Sequence, residues 1–155
     1  MSGAIERFTE AAEALGLRPD VRRFPQGTKT AADAARAIGC EVDQIVKSLV
    51  FMADDVPVLA LTAGSNRVDE AKLAAAVGAT EVRRATPEEA RTATGFAVGG
   101  TPPLGHHAEV QTFIDPGLLR HEVVWAAAGT PDGVFPIPPG ELQRITHGTV
   151  ADFTR

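Results

Sequence analysis

The sequence predicts a mixed α/β (α+β) fold in which helices pack on a mixed, largely antiparallel β-sheet. Three observations indicate this class. Segments of strand and helix periodicity alternate along the 155 residues, a length that suits one domain with its own core. Two apolar strand-like segments, 46–53 and 58–63, are joined by a turn at 54–57 that is too short for a parallel connection. No repeat or linker divides the chain, so we expect a single domain over residues 1–155.

Two helices are predicted before the strand pair. Ser2 can cap the first helix, whose apolar residues recur at helical spacing until Gly16 ends it. A short extended segment follows at 21–24. Thr30 gives a capping-box-like start to an alanine-rich second helix, which Gly39 ends.

After the strand pair, a loop at 64–67 leads into a predicted helix at 69–77 and a short strand at 81–84. Thr86 begins the next helix, because proline and a carboxylate follow it at the positions that favour a helix start. Gly95 ends that helix. The remaining predictions are an extended stretch at 96–98, strands near 110–114 and 122–127, and a helix that holds 141–145.

Composition excludes several classes of protein. A net charge of −5 argues against a protein that coats long nucleic acids, although a few local cations suffice to hold one RNA end. Aromatic residues are only 5% and tyrosine is absent, so a stacking platform for single-stranded RNA is not expected. The N-terminus lacks a leader pattern and no apolar run reaches about 18 residues. The single cysteine, Cys40, suits a reducing setting, and we expect a cytoplasmic protein without a membrane segment.

Lys47 is the first candidate site residue. Strand alternation places it on one face with Leu49 and Phe51, within a strand that is apolar on both faces. A lysine is costly there unless its ammonium group reaches water or an anion. The functional interpretation is a cation at the mouth of a pocket that holds a phosphate or an ester oxygen. The alternative is a strand-end lysine whose side chain extends into solvent.

The loop at 99–106 is the second candidate. Its glycines let the backbone approach a ligand closely, and its prolines fix the loop's shape. Such a loop can form an oxyanion hole from backbone amides, and we expect its glycine-to-alanine variants to lose rate with little loss of stability. A rigid turn between strands is the alternative. The loop consists of Gly99, Gly100, Thr101, Pro102, Pro103, Leu104, Gly105 and His106.

The polar loop at 64–67 is the third candidate, because Ser65, Asn66 and the following helix N-terminus can receive a phosphate or a carboxylate. An ordinary loop with a helix cap is the alternative. Ser65 lies in no nucleophile-elbow motif, and the chain has no dinucleotide-binding or phosphate-binding glycine motif. The four histidines and Cys40 lack metal-ligand spacing, so no metal is expected.

Taken together, these motifs resemble the YbaK/ProX family of aminoacyl-tRNA deacylases, which is related to the editing insertion of bacterial prolyl-tRNA synthetase. The resemblance covers about residues 20–147. Each motif is weak alone, but the ordered set at these spacings is fairly specific. The segments that carry it are 30–35 with Ile38 and Gly39, 45–51, 64–70 with Lys72 and Leu73, 99–106, and 114–115 with Leu118 and Leu119.

The resemblance implies a mixed sheet packed by helices, no cofactor, and hydrolysis of the ester that joins a mischarged amino acid to the terminal adenosine of tRNA. Lys47 matches the essential lysine of the family. The glycine loop is matched by Gly99, Gly100 and Gly105. The pocket-lining positions that it implies are Thr30, Ser65, Asn66, Thr101, Pro102, Pro103 and His106.

We therefore expect a trans-acting deacylase that removes a small amino acid such as Ala, Ser, Thr or Cys. Its implied partners are the acceptor end of a mischarged tRNA and an aminoacyl-tRNA synthetase, and it is expected to be a monomer or a homodimer. Because no protein base is evident, the free hydroxyl of the terminal ribose is expected to orient the attacking water. The alternative is a non-catalytic module that binds aminoacyl-tRNA or aminoacyl-adenylate.

The absence of metal-ligand spacing leads to a first prediction. We expect EDTA to leave deacylation of a mischarged tRNA unchanged, because no histidine or cysteine pair has the spacing of a zinc site. Release of a radiolabelled amino acid, measured before and after dialysis against EDTA, checks this. Loss of activity that zinc restores would contradict it.

Overall fold

A computed structural model describes residues 3–25, 28 and 30–155. Within these residues the chain forms one eight-stranded sheet that carries both parallel and antiparallel pairs, with helices packed on it. This architecture confirms the predicted mixed α/β class. In the described part of the chain, every helix is too short or too polar to cross a membrane.

The helices and strands follow the predicted order. The helices are α1 (Ala4–Ala14), α2 (Ala31–Ile38), α3 (Glu70–Val77), α4 (Pro87–Thr94) and α5 (Pro139–Thr146), with 3₁₀ turns at Val42–Gln44 and Pro116–Arg120. The strands are β1 (Arg22–Arg23), β2 (Ile45–Ala53), β3 (Val56–Ala63), β4 (Val82–Arg84), β5 (Gln111–Ile114), β6 (Val124–Ala127), β7 (Gly133–Ile137) and β8 (Thr149–Val150).

Most predicted helix boundaries are confirmed by cap geometry. The Thr86 hydroxyl accepts from the Glu89 N–H at 3.1 Å, and the Glu89 carboxylate accepts from the Thr86 N–H at 2.9 Å, which completes a capping box. Thr30 makes only half of such a box, by accepting from the Asp33 N–H at 3.0 Å. Ser2, the predicted cap of α1, lies outside the described residues.

Two local predictions were wrong, and two strands were not predicted. Pro57 lies inside β3 rather than in the turn, where it pairs with Met52 close to the end of the hairpin. Residues 96–98 form no strand. The structure also contains β7 and β8, which were not predicted. β7 contains Pro136, which argues against a strand in sequence, and β8 has only two residues.

The sheet is built around the β2–β3 hairpin. Its strand order is β1-β7-β6-β2-β3-β5-β8, and β4 pairs with β2 as well. β2 and β3 pair antiparallel from Val46 with Ala63 to Ala53 with Val56, as the short turn requires. The β1–β7, β6–β7 and β2–β4 pairs are also antiparallel, whereas β2–β6, β3–β5 and β5–β8 are parallel.

The second edge of β2 is broken in the middle. β6 pairs with β2 only at Ile45 and Val46, and β4 pairs with it only from Phe51 to Ala53. Neither strand pairs with residues 47–50, so the sheet divides there. β3 still pairs with residues 47–50 on the other side, so the break leaves one edge of β2 open beside Ser48 and places this stretch at the wall of a cleft.

Apolar side chains cover both faces of the sheet and hold this break in place. One cluster joins α1, α4 and α5 to the sheet and includes the fully buried Phe8, Leu59 and Phe135. A second cluster packs Leu73 of α3 against the opposite face. Each fully buried Leu or Phe side chain contributes about 1.5–3 kcal/mol to folding, so these clusters fix the strands that flank the cleft.

The hairpin turn yields a stability prediction. Asp54 and Asp55 have φ of +47° and +68°, as a two-residue hairpin turn requires. The Asp54 carboxylate accepts from the N–H groups of Thr80 and Glu81 at 2.9 Å each, which lowers the pKa of Asp54. A lowered carboxyl pKa stabilises the fold above the usual pKa of about 3.9 and loses that effect as pH falls through the lowered value.

We therefore expect Asp54→Asn to lower the melting temperature by a few degrees at pH 7, with the difference from wild type closing below about pH 4. Asp55→Asn is the matched control, because Asp54 rather than Asp55 accepts both hydrogen bonds. Asparagine also tolerates positive φ, so the turn itself is unchanged. Thermal melts at several pH values check this. An equal loss of stability in both variants would contradict it.

Candidate active site

A cleft of about 640 Å³ opens where the sheet divides. Its walls are the start of α2, the unpaired stretch of β2, the start of α4 and the turn at residues 98–99. Four of the predicted site residues line it: Thr30, Lys47, Gly99 and Thr101. The other lining residues include Ala31, Ala34, Val42, Ser48, Gly64, Arg84, Ala90, Val98, Trp125 and Ala126.

Lys47 is half-buried and its charge has a neutral partner. Its Nζ donates a hydrogen bond to the backbone carbonyl of Asn66 at 2.5 Å. Among the described residues, no carboxylate lies within ion-pair distance of it. Burial lowers the pKa of Lys47, and the nearby charges of Arg67 and Arg84 lower it further, against the opposing effect of the more distant carboxylates of Asp115 and Asp43. The ammonium group is therefore positioned by the protein yet remains available to an anionic or carbonyl ligand.

Two carboxylates hold the loop that supplies this carbonyl. Asp115, only 2% exposed, accepts from the side-chain amide of Asn66 at 2.8 Å and from the N–H of Ala63 at 3.0 Å. Asp43 accepts from the N–H of Ser65 at 3.1 Å and from its hydroxyl, and the hydroxyl bond is the largest cause of its lowered pKa. The loop at 64–67 is thus fixed from both sides.

The side chains of Ser65 and Asn66, which were predicted to line the pocket, contact carboxylates of the protein instead. Ser65 points to Asp43 and Asn66 to Asp115, whereas Gly64 is the loop residue that lines the cleft. Asn66 contributes its carbonyl oxygen to Lys47 rather than its side chain to the pocket. Direct contact of Ser65 or Asn66 with a substrate stays a prediction.

The glycine loop is divided between two places. Gly99 and Thr101 line the cleft, and their N–H groups have no hydrogen-bond acceptor among the described residues. The Gly100 N–H already donates to the Ala97 carbonyl at 3.1 Å. Gly99 and Thr101, rather than Gly100, are therefore the candidates for donating a backbone hydrogen bond to a ligand.

The second half of the loop lies away from the cleft. Pro103, Gly105 and His106 border a separate cavity of about 210 Å³ beside α1 and α5. His106 is largely buried, its Nε2–H donates to the Pro102 carbonyl at 2.7 Å, and burial lowers its pKa. The whole loop at 99–106 was predicted to surround one site. Pro103, Gly105 and His106 instead lie at this second cavity, and Pro102 is buried, so these residues shape the loop. Their roles as catalytic or substrate-binding residues stay predictions.

Several residues that line the cleft or lie near it were not predicted as site residues. Arg84 stands over the Phe51 ring at 5.7 Å, and Arg22 stands over the Trp125 ring at 5.1 Å, so two cations lie near the cleft in addition to Lys47. Ser48 has a buried hydroxyl without a hydrogen-bond partner in the described structure. Its only sequence signal was a polar residue on an apolar strand, beside the more prominent Lys47.

The site has the parts of a hydrolase that uses no protein nucleophile. It offers a positioned cation, free backbone amides and room for a ligand larger than an amino acid. In the part of the chain that the structure describes, no group of three His, Cys, Asp or Glu side chains is placed to hold a metal. Such a site suits a substrate that is already activated, such as an ester.

Comparison with known proteins is consistent with this class. Residues 25–145 match the family described as the aminoacyl-tRNA editing domain. A crystal structure described as a candidate trans-editing enzyme for prolyl-tRNA synthetase is 44% identical, with a TM-score of 0.94 over 100% of this chain and 99% of that one.

Two curated relatives extend the comparison. A proline–tRNA ligase of Nitratidesulfovibrio vulgaris (strain DP4) is 37% identical over 92 residues, which are 59% of this chain and only 16% of the ligase. A protein of Enterococcus faecalis named as a candidate Cys-tRNA(Pro)/Cys-tRNA(Cys) deacylase, EbsC, is 26% identical over 126 residues, 81% of this chain and 77% of that protein.

The chain belongs to the aminoacyl-tRNA editing domain family. This confirms the resemblance drawn from the sequence and the interpretation of the chain as an aminoacyl-tRNA hydrolase. The family match does not reach the first 24 and the last 10 residues.

The glycine loop gives a prediction that separates packing from catalysis. A Cβ added at Gly100 would lie 2.8 Å from the Gly129 carbonyl oxygen, so Gly100→Ala should cost about 1–3 kcal/mol of stability. A Cβ at Gly99 would find no atom nearer than 3.8 Å, but φ there is +92° and costs about 1 kcal/mol. The structure therefore corrects the expectation that Gly100→Ala leaves stability unchanged.

We expect Gly100→Ala to melt several degrees below wild type, and Gly99→Ala to melt closer to it while losing more deacylation per folded molecule. Thermal melts and single-turnover assays, run well below both melting temperatures, check this. A stable Gly100→Ala protein would show that the loop has more room than its backbone contacts indicate.

Proposed function

We propose that this protein is a trans-acting aminoacyl-tRNA deacylase that removes a small amino acid, such as Ala, Ser, Thr or Cys, from a wrongly charged tRNA. The observation that carries this proposal is the Lys47 ammonium, which lies in a roomy cleft and is held by a neutral carbonyl. A half-buried lysine that has no ion pair with the protein is costly to keep. Binding of a polar substrate would offset that cost.

The reaction needs little from the protein, because an aminoacyl ester is already activated. Water adds to the ester carbonyl, the bond to the ribose oxygen breaks, and the amino acid and the free ribose hydroxyl leave. Lys47 anchors and orients the ester, and the free amides of Gly99 and Thr101 can stabilise the oxyanion. The neighbouring ribose hydroxyl orients the water, since no protein base lines the described cleft.

The walls of the cleft favour a small amino acid side chain. Ala31 and Ala34 line it from α2 and Ala90 lines it from α4, so small residues stand on both sides. One relative is named for cysteinyl-tRNA and one solved structure for editing with prolyl-tRNA synthetase. A synthetase pocket discriminates one methylene by only about 1–3 kcal/mol, so a second, smaller site is needed to remove smaller amino acids.

The partners proposed are the acceptor end of a tRNA and the synthetase that releases it. Arg22, Arg67 and Arg84 stand near Lys47 or the cleft and give it a positive environment in spite of the net charge of −5. A few such cations suffice for the last phosphates of a tRNA. The protein would act as a monomer or homodimer in the cytoplasm, where tRNA is charged.

A panel of mischarged tRNAs tests this function. Ala-, Ser-, Thr- and Cys-tRNA(Pro), each with a labelled amino acid, are incubated with the protein, with correctly charged Pro-tRNA(Pro) as the control. We expect loss of label from at least one of the four and not from the control. Tight binding without turnover on every substrate would instead indicate a non-catalytic module.

Lys47 gives a prediction for catalysis and its pH dependence. Lys47→Ala should lower kcat/KM by about 100-fold or more while the fold stays intact, because the ester loses its anchor. Since burial lowers the pKa of Lys47, enzymatic activity should fall at a pH below the usual lysine value of about 10.4. Lys47→Arg should retain part of the activity and move this alkaline limb to higher pH.

Initial rates between pH 6 and 10, corrected for spontaneous ester hydrolysis, check this. Lys72→Ala is the matched control, because Lys72 is exposed and pairs with Asp152 away from the cleft. Lys47→Ala activity within about twofold of wild type would show that the ammonium group is not needed.

A further inference from the structure

The break in the sheet determines where the main chain of Ser48 points. The Val50 carbonyl accepts from the Ala85 N–H at 3.1 Å, and the Asp54 N–H donates to the Glu81 carbonyl at 3.0 Å. Both bonds run to the β4 side, away from β3. Because alternate residues of an antiparallel strand share one hydrogen-bonding edge, the N–H and C=O of Ser48 point to that same side, where neither β4 nor β6 extends.

Three polar groups of one residue are therefore unpaired in the cleft. In the described structure no strand pairs with the N–H and C=O of Ser48 on this edge, and its Oγ is buried without a hydrogen-bond partner. Ser48 also lines the cleft. Unpaired polar groups in a partly closed site are costly, and functional sites are where such groups persist.

An aminoacyl group has the atoms that this edge lacks. Its amino nitrogen, Cα and carbonyl follow one another as in a peptide residue. In an antiparallel pair, two opposite residues exchange two hydrogen bonds, each N–H to the other C=O. A single amino acid can pair with Ser48 in this way and restore the missing strand over one residue.

We infer that Ser48 is the aminoacyl-binding residue of the cleft. Its N–H donates to the ester carbonyl of the substrate, and its C=O accepts from the α-amino group. This inference rests on the proposed function, because its ligand is the aminoacyl ester. The Ser48 contact adds a requirement for a free α-amino group. Lys47 cannot recognise that group, because both are cations.

The pairing also explains why the substrate side chain must be small. Side chains of directly opposite residues lie on the same face of a sheet. The substrate side chain therefore lies on the Ser48 face, which is shared with Val46 and Val50 and faced by Ala90. Ala126 lines the same face. Two alanines beside two valines leave room for a short side chain.

A binding experiment with wild-type protein tests the contact directly. The probe is 3′-alanylamido-3′-deoxyadenosine, in which an amide replaces the ester and prevents hydrolysis. In ¹⁵N-labelled protein, the Ser48 amide signal should shift to lower field on titration, as a newly made hydrogen bond requires. The N-acetyl form of the probe should bind about 10-fold or more weakly, since it loses the charge of the donor.

Variants test the contribution to turnover. Ser48→Pro removes the N–H while keeping an extended backbone, and it should lower kcat/KM about 10- to 100-fold with little change in melting temperature. Leu49→Pro is the matched control, because Leu49 pairs with Ala60 and its N–H belongs to the β2–β3 ladder. That variant should lose stability instead. Ser48→Ala, which removes only Oγ, should have a smaller effect than Ser48→Pro.

The outcomes separate the two proposals. If the wild type hydrolyses a mischarged tRNA but the Ser48 amide does not shift and N-acetylation does not weaken binding, the Ser48 subsite is wrong and the deacylase function stands. If the Ser48 amide shifts but no substrate is hydrolysed, the subsite stands and the function is wrong. Should Ser48→Pro fail to fold, the titration of wild type decides.

Discussion

The buried carboxylate of Asp115 is the interaction on which the site depends. It accepts from the main chain of Ala63, from the side chain of Asn66 and from the N–H of Gly117 at 2.9 Å. Removing such an acceptor leaves buried donors unpaired at about 1–3 kcal/mol each. It also frees the loop whose carbonyl orients Lys47. Asp115, which does not line the cleft, thus holds the loop whose carbonyl accepts the hydrogen bond of Lys47.

The second constraint is the division of the sheet beside β2. A strand that covered this edge of β2 along its whole length would satisfy the N–H and C=O of Ser48 and leave no cleft. Because β6 and β4 each cover only one end of β2, the fold retains a short unpaired edge that is shielded from other chains by α2 and α4. Shielding matters, since open strand edges otherwise promote aggregation. The same break therefore supplies both room and hydrogen-bonding groups.

Much of the fold could be predicted from local signals, whereas much of the site could not. Thr86 and the glycines at the helix ends carry their cap signals in sequence, and the two-residue turn after β2 requires an antiparallel pair. The charge of Lys47 on an apolar strand marked it as a candidate, but the strand pattern alone left a solvent-exposed lysine open, and the family resemblance favoured the pocket. The partners of Ser65 and the unpaired edge at Ser48 depend on contacts distant in sequence, which no local pattern records.

The neutral partner of Lys47 has a consequence for product release. In the proposed reaction the ester group that enters the cleft is uncharged, whereas the amino acid that leaves carries a carboxylate. If Lys47 anchors the ester as proposed, its ammonium, whose hydrogen-bond acceptor in the protein is a neutral carbonyl, would attract the product more strongly than the substrate. Burial strengthens that attraction, because the local dielectric constant is lower than that of water. Free amino acids in the cell would then compete for the cleft, and the rate of turnover would depend on how quickly the carboxylate exchanges with solvent.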